Sequence, residues 1–337
     1  MKNRLLSLLV VAAAYAGFAF YLYRPYLKGG PAVYLHAANS VAAAVGCFLV
    51  GRRWIGGLCE SLFAGALYGF GPFVLSLAQY HPAAGSLAAA VAWCFLPAAL
   101  VRPAGKWRLV APALAALPFL VIIVFFQLCS HGRLFAVPAQ ARLQLGHLVG
   151  LAAPLVAVKR NLIGTGLYHV PLAPLLIGVG ILARAKRFGV IIIFVVGVAL
   201  ACAGPVLEVS SLMWLAVPAL CCSILAGAGL QALVSSGPAD RGWVLAAAGV
   251  MTALAVAMLV LAGKYFQVFA GLAAGYARLF MQAGYMYITA VVALLILFFL
   301  SRAKLRLGWL RRAVLCVAIA VDLQRGAVFV VDYFFQG

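Results

Sequence analysis

The chain has 337 residues, of which 67% are hydrophobic and 9% charged. That much apolar surface cannot be hidden inside a soluble domain of this size, so a water-soluble enzyme is excluded. The net charge of +20 comes from 25 Lys and Arg against five acids, but the cations fall in twos and threes between apolar stretches. That distribution marks the ends of membrane helices and excludes a nucleic-acid-binding surface.

A helix needs about 20 apolar residues to cross the hydrocarbon core. Hydropathy predicts spans over 5–22, 32–50, 55–78, 86–101, 109–129, 162–183, 189–206, 212–234, 243–263, 285–300 and 313–335. The predicted fold class is all-α, a polytopic integral membrane protein with about 10–11 transmembrane helices in one transmembrane domain over 1–337. The first span begins like a signal peptide, with Lys2 and Arg4 before an apolar run and Ala14-Tyr15-Ala16. The run continues to Leu22, which predicts an anchor helix. The third is interrupted by Gly69-Phe70-Gly71-Pro72, and irregular backbone at membrane depth is tolerated only where protein or a water-filled cavity surrounds it.

The segment 145–158 is apolar but too short to cross, contains Pro154 and runs into Lys159-Arg160. It is expected to be interfacial or re-entrant. With the N-terminus cytoplasmic and this segment not crossing, sixteen Lys and Arg, from Lys2 to Arg312, fall inside and eight outside, as the positive-inside rule demands. Two longer outer segments, 130–161 and 264–284, are then expected at the outer interface, the second mixing aromatics, glycines and Arg278.

Residues able to perform chemistry are few. The eight cysteines lie in or beside apolar stretches, and no spacing predicts a disulfide or a metal site. Among the acids, Glu60 enters the third span near Ser61 and Arg52-Arg53, which are available to stabilise it. Asp322 and Arg325 lie three apart near the middle of the last span, a spacing that shares one helix face and predicts a buried structural pair. Glu208, after Gly204-Pro205, and Asp332 are the acids with access to the outer side. Glu208 is the candidate catalytic base. Arg133, Arg142, Lys159 and Arg160, with His131 and His147, concentrate in or beside the first outer segment. Because Arg and Lys clamp phosphate oxygens, these six residues are candidates for binding a lipid phosphate.

One stretch carries a resemblance. Gly164-Thr165-Gly166-Leu167-Tyr168 is followed by Pro171-Leu172-Ala173-Pro174-Leu175-Leu176, then a basic turn at 184–187 and Gly204-Pro205. It closes with Pro218-Ala219-Leu220 and Leu225-Ala226-Gly227-Ala228-Gly229-Leu230. Residues 164–234 resemble the late membrane helices of bacterial YfhO-like proteins, which belong with the GT-C fold of glycosyltransferases. The resemblance implies residence in a bacterial cytoplasmic membrane, a lipid-facing groove and an outer site for a polyprenyl-phosphate-linked sugar or a phospholipid. It also implies an acid in the first outer loop, as base or metal ligand, yet the loop from Arg24 to Pro31 carries Arg24 and Lys28 and no acid. Two functions follow: a lipid-handling protein, active or degenerate as a glycosyltransferase, or a non-catalytic scaffold subunit of a membrane complex. Membrane lipids are the expected partners, joined in the second case by other proteins, with no nucleic acid and no cofactor predicted beyond a lipid phosphate.

Overall fold

The computed structural model describes residues 2–101, 110–132, 172–184, 188–236, 240–268, 274–302 and 308–336. Within them the chain is helical, with a single isolated β-bridge between Val206 and Val209. The helices are α1 (Lys2–Tyr23), α2 (Pro31–Trp54), α3 (Leu58–Gly69), α4 (Pro72–Ser76), α5 (Pro82–Cys94), α6 (Leu96–Leu100), α7 (Val110–Ala115) and α8 (Leu117–Gly132). They continue with α9 (Leu172–Arg184), α10 (Phe188–Ala203), α11 (Ser211–Trp214), α12 (Ala216–Ser235), α13 (Arg241–Val268), α14 (Ala274–Arg302) and α15 (Gly308–Gln336). Nine stretches among the described residues are long and apolar enough to cross a membrane, and α9 and α10 supply two shorter apolar helices. This is an all-α integral membrane protein.

The core is built on α2, α3 and α12. The break between α3 and α4 falls where the sequence places it: Pro72 opens α4 and Gly71 adopts an extended conformation. Phe70 and Phe73 are buried there, and Phe70 meets Phe18 of α1 edge-on at 4.8 Å. Protein therefore surrounds the irregular backbone, as the absence of water at that depth requires. In contrast, α13 and α14 form a long antiparallel hairpin, joined by Leu259 against Gly284 and by Tyr265 stacked on Phe280 at 5.3 Å. The described part of 264–284 continues these two helices. At 28 residues α13 is about 42 Å long, so it reaches beyond a hydrocarbon core of about 30 Å.

Contacts between helix ends define two poles. At one, Arg241 donates to the Ser301 carbonyl, Arg311 to those of Ser236 and Leu300, and Arg312 pairs with Glu60. This arginine-rich end gathers the starts of α3, α13 and α15 with the ends of α12 and α14. At the aromatic end, Tyr26 donates to Asp332, and Gln127 near the end of α8 donates to the Leu207 carbonyl beyond α10. Exposed Trp243 and Trp309 ring the first end, Tyr34 and Phe266 the second, as aromatic belts do at the two interfaces.

The packing of α9 and α10 on α12 departs from the expected topology. A side chain at Gly229 would strike the Pro174 carbonyl, and one at Gly178 the Leu225 carbonyl. The pairing of 174 with 229 and 178 with 225 makes α9 antiparallel to α12 and starts it toward the arginine-rich end. Gly197 of α10 meets Val217 and Pro218, and α10 ends beside α11, so α10 is antiparallel to α12 as well. Thus α9 and α10 point the same way, whereas hydropathy predicts opposed crossings at 162–183 and 189–206. Hydropathy locates the helices; close glycine contacts, with opposing carbonyls for α9 and with the Val217 and Pro218 side chains for α10, show their direction. Segment 145–158 lies outside the described residues.

Candidate functional site

The aromatic end holds the strongest juxtaposition of polar groups. After α1, residues Arg24–Gly29 form a tight 3-10 turn, and Gly30, at φ 106°, redirects the chain into α2. Tyr26 on this turn donates its hydroxyl to Asp332 Oδ1 at 2.7 Å. The Phe335 ring, one turn further along α15, is held by Tyr23 at 5.7 Å, Tyr26 at 5.4 Å and His36 at 6.0 Å. Buried Ser40 donates to the His36 carbonyl, one helical turn earlier in α2. An acid absent from the 24–31 loop is thereby delivered to it by the last helix, 306 residues away in sequence. Arg24 and Lys28 are exposed on the same turn, and neither pairs with a described carboxylate.

Sequence reasoning identified Asp332 as an outer acid but did not find its partner. The available signal was a tyrosine in an otherwise acid-free loop, and nothing local ties it to residue 332.

Glu208 occupies a different part of the same end. It stands exposed in the turn between α10 and α11, where Leu207 has φ 54° and Glu208 φ 63°. Two consecutive non-glycine residues in the left-handed region each cost about 1–2 kcal/mol. The Val206–Val209 bridge and the 2.8 Å bond from Gln127 to the Leu207 carbonyl hold the turn. In the following helix α11 the Ser211 hydroxyl and the Trp214 indole N–H are buried with no hydrogen-bond partner among the described residues. Glu208 makes no ion pair among the described residues.

Of the proposed phosphate ligands, Arg133, Arg142, His147, Lys159 and Arg160 lie outside the described residues, and His131 falls in the last turn of α8. Asp322 is half-buried on α15 and acts electrostatically on Tyr287 of α14, while Arg325 is exposed. Its neighbour Gln324 donates to the Tyr21 hydroxyl at 3.0 Å. Among the described residues no three His, Cys, Asp or Glu side chains are grouped to hold a metal.

At the arginine-rich end the polar contacts serve structure. Glu60 is buried and its Oε1 lies 3.4 Å from Arg312 Nε. The partner is thus on the last helix, and not Arg52-Arg53; Arg52 donates instead to the Gly56 carbonyl. Ser61 also turns away from the acid, donating to the Gly57 carbonyl at 2.6 Å. Arg241 and Arg311 place positive charge on the terminal carbonyls of α14 and α12, where the helix dipoles favour it.

No family model, no curated protein and no solved structure matches this chain.

Proposed function

We propose that this is a GT-C-like integral membrane protein that handles a polyprenyl-phosphate-linked sugar or a phospholipid at its aromatic end, taken as the extracytoplasmic side because the opposite, arginine-rich end is the one the positive-inside rule puts in the cytoplasm. The reading rests on one observation: Tyr26 holds the Asp332 carboxylate against the first connecting loop, which also carries Arg24 and Lys28, cations with no acidic partner among the described residues. In this reading Arg24 and Lys28 grip the phosphate. Asp332 accepts the proton of an attacking hydroxyl while that oxygen bonds to the sugar's anomeric carbon. The bond from that carbon to the phosphate oxygen breaks, and its electron pair leaves with the polyprenyl phosphate. Cations fixed where that charge develops stabilise it. Tyr26 positions Asp332, and Glu208 is the alternative base.

The test is transfer and binding by the purified protein supplied with a polyprenyl-phosphate sugar. Asp332→Asn should lose at least about a hundredfold in transfer, the usual contribution of a positioned base, while retaining the lipid. Arg24→Ala with Lys28→Ala should lose the lipid itself. Transfer that survives Asp332→Asn but not Glu208→Ala would move the base to the α10–α11 turn.

One observation favours a second reading, a non-catalytic subunit. Arg325 is exposed on α15 well inside the span, and an arginine facing lipid there costs about 2.5–3.5 kcal/mol on insertion scales. A neighbouring membrane protein that covers it would remove that cost. A stoichiometric partner lost in Arg325→Leu, with neither lipid binding nor transfer, would establish this reading over the first.

A further inference from the structure

A groove of about 990 Å³ opens in the half of the bundle nearer the arginine-rich end, between the end of α2, α6 to α10 and α12. That volume matches small-molecule sites, which run from about 300 to 1,000 Å³. It exists because its walls are small: Ala111 and Ala115 on α7, Gly178 on α9, and Ala228 and Ala232 on α12 line it. Leucine at any of these four alanines would fill part of the space, and Gly178 lets α9 close onto the Leu225 carbonyl of α12. Protein interiors leave few voids larger than a water molecule, and apolar walls give water nothing to bond to. The rim residues Ile181 and Ile192 are exposed, so the groove communicates with the bilayer.

The polar features of the groove lie at one end. Gln231 and Ser235, in the last turns of α12, and Trp54, the last residue of α2, line the end that meets the arginine-rich pole. Ser235 donates to the Gln231 carbonyl, and the Gln231 carboxamide makes no hydrogen bond among the described residues. Next to Trp54 are exposed Arg52 and Arg53. The nearby acid, Glu60, is already neutralised by Arg312. Exposed Arg53 adjoins the groove's Trp54, as does Arg52, one N–H of which is given to the Gly56 carbonyl; with the exposed Gln231 amide they put the polar groups at one end of an otherwise apolar trough.

We infer that the groove binds one chain of an anionic phospholipid from the leaflet at the arginine-rich end, with Arg52 and Arg53 on its phosphate and Gln231 on the ester region. The site lies at the opposite pole from Asp332 and does not rest on the proposed transfer. A zwitterionic lipid offers the same chains but carries a cationic group toward the same arginines, so charge discriminates between them. Each Lys or Arg near an anionic lipid surface contributes enough that a pair should favour the anionic lipid by at least about tenfold.

The full chain would be exchanged into bilayer discs of phosphatidylglycerol and phosphatidylcholine in equal amounts, released into detergent, and its retained lipids counted by native mass spectrometry. The unaltered protein should keep one phosphatidylglycerol in at least about tenfold excess over phosphatidylcholine. Ala228→Phe with Ala232→Phe should fill the trough and abolish retention of either lipid without lowering the melting temperature. If that variant does not fold, Ile192→Trp at the open rim is the substitute and should reduce retention. Arg52→Gln with Arg53→Gln should keep one lipid but erase the preference. Retention unchanged by a filled groove, or equal retention of the two lipids by the unaltered protein, would overturn the assignment.

Discussion

The two poles of the bundle use their polar residues in opposite ways. At the arginine-rich end, Arg241, Arg311 and Arg312 are each tied to a carbonyl or to Glu60, and these bonds fasten the last three long helices to α3 and α12. At the aromatic end, the loop cations Arg24 and Lys28 have no described acidic partner, and Glu208 is displayed on a turn held against its own conformational preference. The cations that fasten helices to one another are bonded within the protein, whereas Arg24 and Lys28, and Arg53 beside the groove, make no bond among the described residues. The lesson is that the larger cluster of cations is the structural one, so counting basic residues alone misplaces the chemistry.

The contrast is most directly broken at Glu60. Arg312→Ala leaves a buried carboxylate without its cation, which should cost about 2–3 kcal/mol, less than the roughly 3–5 of a fully buried broken pair because Arg312 is half-exposed. Thermal unfolding in detergent would show it, and Glu60→Gln placed in the same variant should restore part of the loss. A double variant no better than the single would remove the pair from the architecture. Arg311→Ala comes next, at about 1–2 kcal/mol for two charge-assisted bonds to helix-terminal carbonyls. Protease sensitivity between α14 and α15 should rise with it.

Changes at the aromatic end should leave stability nearly intact. Tyr26→Phe removes one bond to Asp332 and should cost no more than about 1 kcal/mol, yet reduce lipid-linked transfer. A fall in melting temperature as large as that of Arg312→Ala would make this end structural too and dissolve the contrast. The smallest effect is expected from Asp322 and Arg325. Because Arg325 is exposed, their coupling in a double-mutant cycle should stay below about 1 kcal/mol. A larger coupling would show the two neutralising each other inside the bundle, as their spacing suggests.

Much of this was legible in residue order. Gly71-Pro72 announces the break in the third span, and the apolar run through Leu22 announces α1 as a full-length helix. The site was less legible. Glu60 has Arg52-Arg53 close by in sequence, but helix packing brings Arg312 to it, and an ion pair follows distance in space. Likewise Asp332 and Tyr26 belong to different ends of the chain, and no periodicity connects them. The groove could not be foreseen either, because its small residues are distributed over α7, α9 and α12 and mean nothing until those helices stand together.

What the sequence by itself determined is the solvent and the elements: so many apolar runs of spanning length leave an all-α membrane protein as the outcome, because backbone groups in hydrocarbon must bond within their own helix. What the tertiary structure alone decided is direction and partnership. Hydropathy is indifferent to which way a helix runs, so α9 took its orientation from Gly178 and Gly229 lying against opposing carbonyls. Polar side chains buried or half-buried at the helix ends then took the partners that packing brought within reach, since leaving them unpaired costs more than any local preference can return.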